Sequence, residues 1–131
     1  MRRTHSAVMT GLIAAMLFSL NACGRTEPAP QASEPSALKP YSIMVFGEIA
    51  PQAVEFEGHY VYIENGKEVR EDISGKGNRS KAIGAEALTY CEVRKTSEGG
   101  WISLTIRQGT DELFASEEER SNKPIIYRAQ Q

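Results

Sequence analysis

Few side chains in this 131-residue chain could do chemistry, and most of them sit alone. There are two thiols, Cys23 and Cys91, and two imidazoles, His5 and His59. A cysteine nucleophile needs a base beside it, and His59 is the one histidine outside the first segment. Strand alternation puts Cys91 on one face with Thr89 and Val93, which gives it the place of a small hydrophobe in a strand. A single histidine does not make a zinc site without Cys or carboxylate help, so no metal and no cofactor is expected. Gly75-Lys76-Gly77-Asn78-Arg79-Ser80-Lys81 is glycine-rich and basic, and backbone N–H groups of such a loop can cradle an anion. It fails the phosphate-loop and dinucleotide spacings, however, and reads as an exposed turn. Glu117-Glu118-Glu119 is an acidic run of the kind that guards a sheet edge. Tyr60, Tyr62 and Trp101 offer aromatic surface for a partner or glycan, and strand alternation sets Trp101 opposite Ile102 and Ile106. Carboxylates such as Glu55 and Glu57 need no motif, which leaves a carboxylate enzyme as the third reading.

The first 22 residues have the form of a targeting signal. Arg2 and Arg3 form a positive start, and Ala7 to Leu20 is an apolar block. At 1.5 Å per residue the block reaches about 21 Å, short of the roughly 30 Å hydrocarbon core. Leu20-Asn21-Ala22-Cys23 follows. This tetrapeptide resembles the lipobox of bacterial lipoproteins, with Asn21 departing from the usual Ala, Ser or Thr. The resemblance implies a diacylglycerol on the Cys23 thiol, cleavage before Cys23 and acylation of the new amino group. Each buried methylene contributes roughly 0.8 kcal/mol, so two or three chains anchor firmly. Under the enterobacterial sorting rule an Asp after the lipidated Cys retains a lipoprotein at the inner membrane. Gly24 thus implies an outer-membrane anchor facing the periplasm.

Residues 23–40 read as the lipidated cysteine and a tether. They carry four of the six prolines, Pro28, Pro30, Pro35 and Pro40, and almost no large apolar side chain. An extended linker of this kind reaches at most roughly 50 Å.

From residue 41 to 131 the dominant period is two. Ile43 and Val45, flanked by Met44 and Phe46, form the first strand, and Pro51 follows its end. A second strand runs from Ala53 to Ile63 with a bulge expected at Gly58. Asn65-Gly66 is a strong hairpin signal, leading into Lys67–Ile73. Ser74–Ser80 reads as a loop, and Ser80–Glu86 is ambiguous. Further strands are Ala87–Lys95, Trp101–Arg107, Glu112–Ser116 and Ile125–Ala129, with one helical turn allowed over Ser116–Ser121. Six or seven short strands make this an all-β domain, a small antiparallel sandwich or partly open barrel. The strand count resembles immunoglobulin-like modules, without their Cys…Trp…Cys spacing. The architecture also resembles the small envelope-anchored β-sandwich accessory proteins that accompany transporters.

Without Arg2 and Arg3 the chain has 13 Lys/Arg against 17 Asp/Glu, a net charge of −4. That balance argues against nucleic acid as a partner. It also argues against adhesion to anionic lipid by charge. The expected function is a non-enzymatic, membrane-anchored binding or accessory module, with an envelope protein or small ligand as partner. The alternative is a structural or protective envelope protein, or inhibitor, acting through an exposed edge strand.

Overall fold

Alternation of Ile43, Val45 and Ile102, Leu104, Ile106 with polar neighbours requires strands with one dry face. A computed structural model describes residues 36–130. The signal segment 1–22, the Leu20–Cys23 motif, Gly24 and the tether as far as residue 35 lie outside the described residues. The domain is all-β, with eight strands rather than six or seven: β1 Lys39–Gly47, β2 Glu55–Glu64, β3 Lys67–Lys76, β4 Arg79–Ala85, β5 Ala87–Lys95, β6 Ile102–Gln108, β7 Asp111–Ala115 and β8 Ile125–Arg128. They form two antiparallel four-stranded sheets, ordered β4-β1-β6-β7 and β3-β2-β5-β8, packed as a sandwich. Lys39 and Pro40, read above as tether, are the first residues of β1 and pair with Ala85 and Gly84. Proline is tolerated there because β1 pairs only with β4 at this position, its pairing with β6 beginning at Tyr41.

The core lies between the sheets. Ile43, Val45, Leu104 and Ile106 from one sheet meet Phe56, Tyr60, Leu88, Cys91 and Val93 from the other. Burying each large aliphatic side chain stabilises by roughly 1.5–3 kcal/mol. The Asn65-Gly66 turn has the positive φ values the hairpin needs, 52° and 69°.

Three local expectations are corrected. Ser74–Ser80 is not a loop: β3 runs to Lys76, and only Gly77-Asn78 turns the chain into β4 in the other sheet. The ambiguous segment is β4 itself. The residues Ser116–Ser121 form no helix, because Glu119 makes an antiparallel bridge to Ile102.

The bulge lies elsewhere than Gly58. The β2–β5 register shifts where Val61 pairs with Tyr90 and Tyr62 with Leu88, leaving Thr89 extra. Thr89 therefore does not share the core face of Cys91 and Val93. Leu88 does, and the Thr89 hydroxyl donates to the Val61 carbonyl at 3.1 Å. Gly58 has another reason: a Cβ there would lie 1.9 Å from the Glu92 carbonyl oxygen. Only a residue without a side chain lets β2 and β5 approach at this point. We predict that Gly58→Ala lowers stability by roughly 2–3 kcal/mol. Gly84→Ala should change it by less than about 0.5 kcal/mol, since only Leu38 comes within 4.0 Å of its Cβ position. Urea unfolding followed by far-ultraviolet dichroism measures both.

Candidate functional site

The sandwich separates the residues that sequence spacing grouped. Tyr60 and Tyr62 are buried between the sheets, stacked with centroids 6.0 Å apart. Trp101 is half-buried immediately before β6, a strand of the other sheet. The three do not form one aromatic patch. The tyrosines face inward because they share the parity of Phe56 on β2, and Glu71, across the β2–β3 pair, accepts hydrogen bonds from both phenols, from Tyr62 at 3.1 Å. Lys81 on β4 stands 3.9 Å from the same carboxylate. A buried phenol needs such a partner for its hydroxyl.

Cys91 is fully buried, and burial, with a smaller contribution from Glu92, pushes its thiol up to about 12. The sulfur is held as a thiol, a core hydrophobe rather than a nucleophile. His59 lies on the opposite face of its sheet, stacked on Tyr90 at 5.3 Å, with the Arg128 guanidinium 5.4 Å from the Tyr90 ring. The sheet thus separates imidazole from thiol. Glu55 pairs with Lys76 and Glu57 with Arg94, both at 2.5 Å. The glycine-rich turn is likewise committed to structure. The Gly77 N–H donates to the Val54 carbonyl at 2.8 Å, and the Asn78 Oδ1 accepts from the Gly47 N–H at 3.1 Å.

Two surfaces gather apolar side chains: Leu113, Phe114, Ile126 and Tyr127 line one of about 600 Å³ beside Tyr41, near the first residues of β1. At the C-terminal end of β1, Phe46 (38 % exposed) and Ile49 (63 % exposed) lie with Trp101 along a groove of about 640 Å³. Ser103, Ser116 and Asn78 complete its polar wall, and Glu48, Glu117 and Glu118 stand along it. Phe46 is outward because β1 alternates, and Ser103 is its partner across β6. Ser116 is already engaged: its Oγ accepts from the Leu104 N–H and donates to the Glu117 carbonyl, each at 2.9 Å.

Two connections hold this groove. Gly100 adopts a φ of +67°, and a Cβ on it would lie 2.3 Å from the Val54 side chain. The tight passage brings Trp101 beside β1, where the Glu48 N–H donates to the Trp101 carbonyl at 3.0 Å. The second is Lys95, a buried lysine at the end of β5. Its ammonium donates to the carbonyls of Gly99 at 2.8 Å, Gly100 at 3.2 Å and Arg120 at 2.7 Å. All three of its donors are used. The turn before Trp101 is thereby tied to the acidic segment. Within that segment the Ser121 hydroxyl and amide bond the Glu119 carboxylate and hold it below the ordinary carboxylate range, with Lys123 and Lys95 adding to the effect.

Phe46, Ile49 and Glu48 were not singled out in the sequence. Phe46 has the parity opposite to Ile43 and Val45, a signal for outward orientation, but the loop position of Ile49 carries no pattern.

Comparison with protein families, with curated proteins and with solved structures finds no match.

The Tyr60–Tyr62–Glu71 cluster makes stability depend on pH at both ends. The Tyr60 and then the Tyr62 hydrogen bonds hold Glu71 below its ordinary value of 4.5, so its contribution is present above that value and lost as pH falls below it. Burial, and then the Glu71 hydrogen bond, push Tyr60 above its ordinary value of 10.0. Its contribution is present below that value and lost as pH rises beyond it. Urea midpoints should drop on both sides of a neutral plateau. Glu71→Gln should flatten the acid limb and Tyr60→Phe the alkaline limb.

Proposed function

We propose that this chain is a lipid-anchored binding module of the bacterial envelope, with acyl chains on Cys23 and a non-enzymatic groove at Phe46, Ile49 and Trp101. The observation that carries the reading is the placement of that groove. The chain enters the sandwich at Lys39, and the groove lies at the other end of β1, past Gly47. Nine strand residues separate the two by roughly 27 Å. The Phe46–Ile49–Trp101 surface is thus remote from the point where the chain enters, while Leu38, Leu113 and Ile126 are exposed nearer to it. Exposed apolar side chains grouped in a groove, rather than scattered, mark interaction sites. The anchor itself rests on the Leu20–Cys23 motif, the apolar block before it and the proline-rich stretch after it. With Gly24 after the cysteine, the module faces the periplasm from the outer membrane.

The edge-strand alternative has less support. β3 is a ten-residue edge of its sheet, but Lys67, Glu68, Arg70, Asp72 and Lys76 are exposed along it. Charged side chains on an edge deter pairing with another chain.

Two measurements in a bacterial host test the reading. A palmitate analogue should label the wild-type chain and not Cys23→Ser, with the label in the outer-membrane fraction. A photo-crosslinking residue at Ile49 should give a discrete adduct in intact cells, while one at Glu68 on β3 should not. An unlabelled, soluble wild-type chain overturns the anchor. The opposite crosslinking pattern, with adducts at Glu68 alone, overturns the groove in favour of the edge.

A further inference from the structure

The groove is one-sided in charge. Glu48, Glu117 and Glu118 line it, and among the described residues no Lys or Arg does. Glu118 is paired with Arg120 at 2.8 Å. Glu48 and Glu117 take part in no ion pair among the described residues. Lys95, the nearest buried cation of the segment, is spent on three carbonyls and presents nothing to the groove. The floor is different in kind: Phe46, Ile49 and Trp101 are apolar, and the Ser116 hydroxyl among them already has its partners. An occupant is therefore asked for apolar side chains against the floor and positive charge at the rim. The Trp101 ring adds to this, because an aromatic face attracts an ammonium or guanidinium.

We propose that the groove binds a segment of a partner protein in which large apolar side chains alternate with lysine or arginine. This rests on the groove being the binding site, as proposed above, and adds the chemistry of what it takes. The other occupants fit less well. A second copy would bring Glu48 and Glu117 against their own like. The chain's own residues 24–38 contain Leu38 as their one large apolar side chain, and they join the sandwich at the end remote from the groove. An anionic membrane surface would meet the acidic rim with the wrong sign.

Trp101 is the single tryptophan of the chain, so its emission reports on this groove alone. The test uses the mature acylated chain in nanodiscs of neutral lipid. Three tryptophan-free peptides are titrated: Ser-Lys-Phe-Lys-Leu-Ser, its acidic form Ser-Glu-Phe-Glu-Leu-Ser, and Ser-Lys-Ala-Lys-Ala-Ser, which keeps charge and loses apolar bulk. The first should shift Trp101 emission saturably to the blue and bind at least about tenfold tighter than the other two, a difference of about 1.4 kcal/mol. Glu117→Lys, an exposed position, should weaken it by about tenfold while leaving the unfolding midpoint in place. Equal or tighter binding of the acidic peptide overturns the charge assignment and leaves the groove a binding site. No shift with the first peptide, alongside adducts at Ile49 in cells, likewise overturns this chemistry alone. No shift together with no adduct at Ile49 overturns the groove reading as well.

Discussion

Lys95 carries an ammonium group into the interior at the end of β5, and three backbone carbonyls surround it. An unmatched buried charge is strongly unfavourable; among the described residues Lys95 makes no ion pair, and Glu119 is the carboxylate that feels its charge. The ammonium is satisfied only while Gly99, Gly100 and Arg120 hold their places together. Those three residues come from two separate segments: the turn that delivers Trp101 and the irregular stretch that carries Glu117 and Glu118. Lys95 thereby ties together the two segments that flank the groove. The Ile102–Glu119 bridge, with hydrogen bonds of 3.0 and 2.7 Å in its two directions, closes the same arrangement from the other side.

The sheets make this arrangement available. Alternation puts Ile43, Val45, Leu104 and Ile106 inside and leaves Phe46 and Trp101 on the other face. The bulge at Thr89 lets β5 keep both Leu88 and Cys91 in the core, an outcome a regular strand forbids. The Tyr60–Tyr62–Glu71 cluster fixes β2 against β3 and leaves those aromatics to the interior. The aromatics of the core, Tyr60 and Tyr62, are accordingly distinct from those of the outer face, Phe46 and Trp101.

Much of the fold was legible because it depends on period and turn chemistry. Ala87–Lys95 is a strand with the bounds its sequence suggests, and Asn65-Gly66 turns where it should. Parity alone points Trp101 outward. What was not legible depends on contacts across the chain. The phenols of Tyr60 and Tyr62 find their acceptor in Glu71 on the paired strand, a relation that composition does not express. Lys95 looks like a polar residue ending a strand, and its burial follows from carbonyls as distant as Arg120. β4 was obscured by its small residues Ala82, Gly84 and Ala85 and by a two-residue corner at Gly77-Asn78 that reads as a longer loop. The groove was half visible: Trp101 was a candidate, while Ile49 joins it only through the path of the loop after β1.

Lys95 holds the segments that flank the groove, and the two sheets have a core of their own apart from it. Native-state hydrogen exchange on Lys95→Met tests this most directly, amide by amide. The account predicts that protection falls at Glu48, Ile102 and Glu119, whose N–H groups close the groove region, and persists at the β2–β5 ladder around Tyr60 and Cys91. Unchanged protection at Ile102 and Glu119, or an equal loss across both sheets, would contradict it.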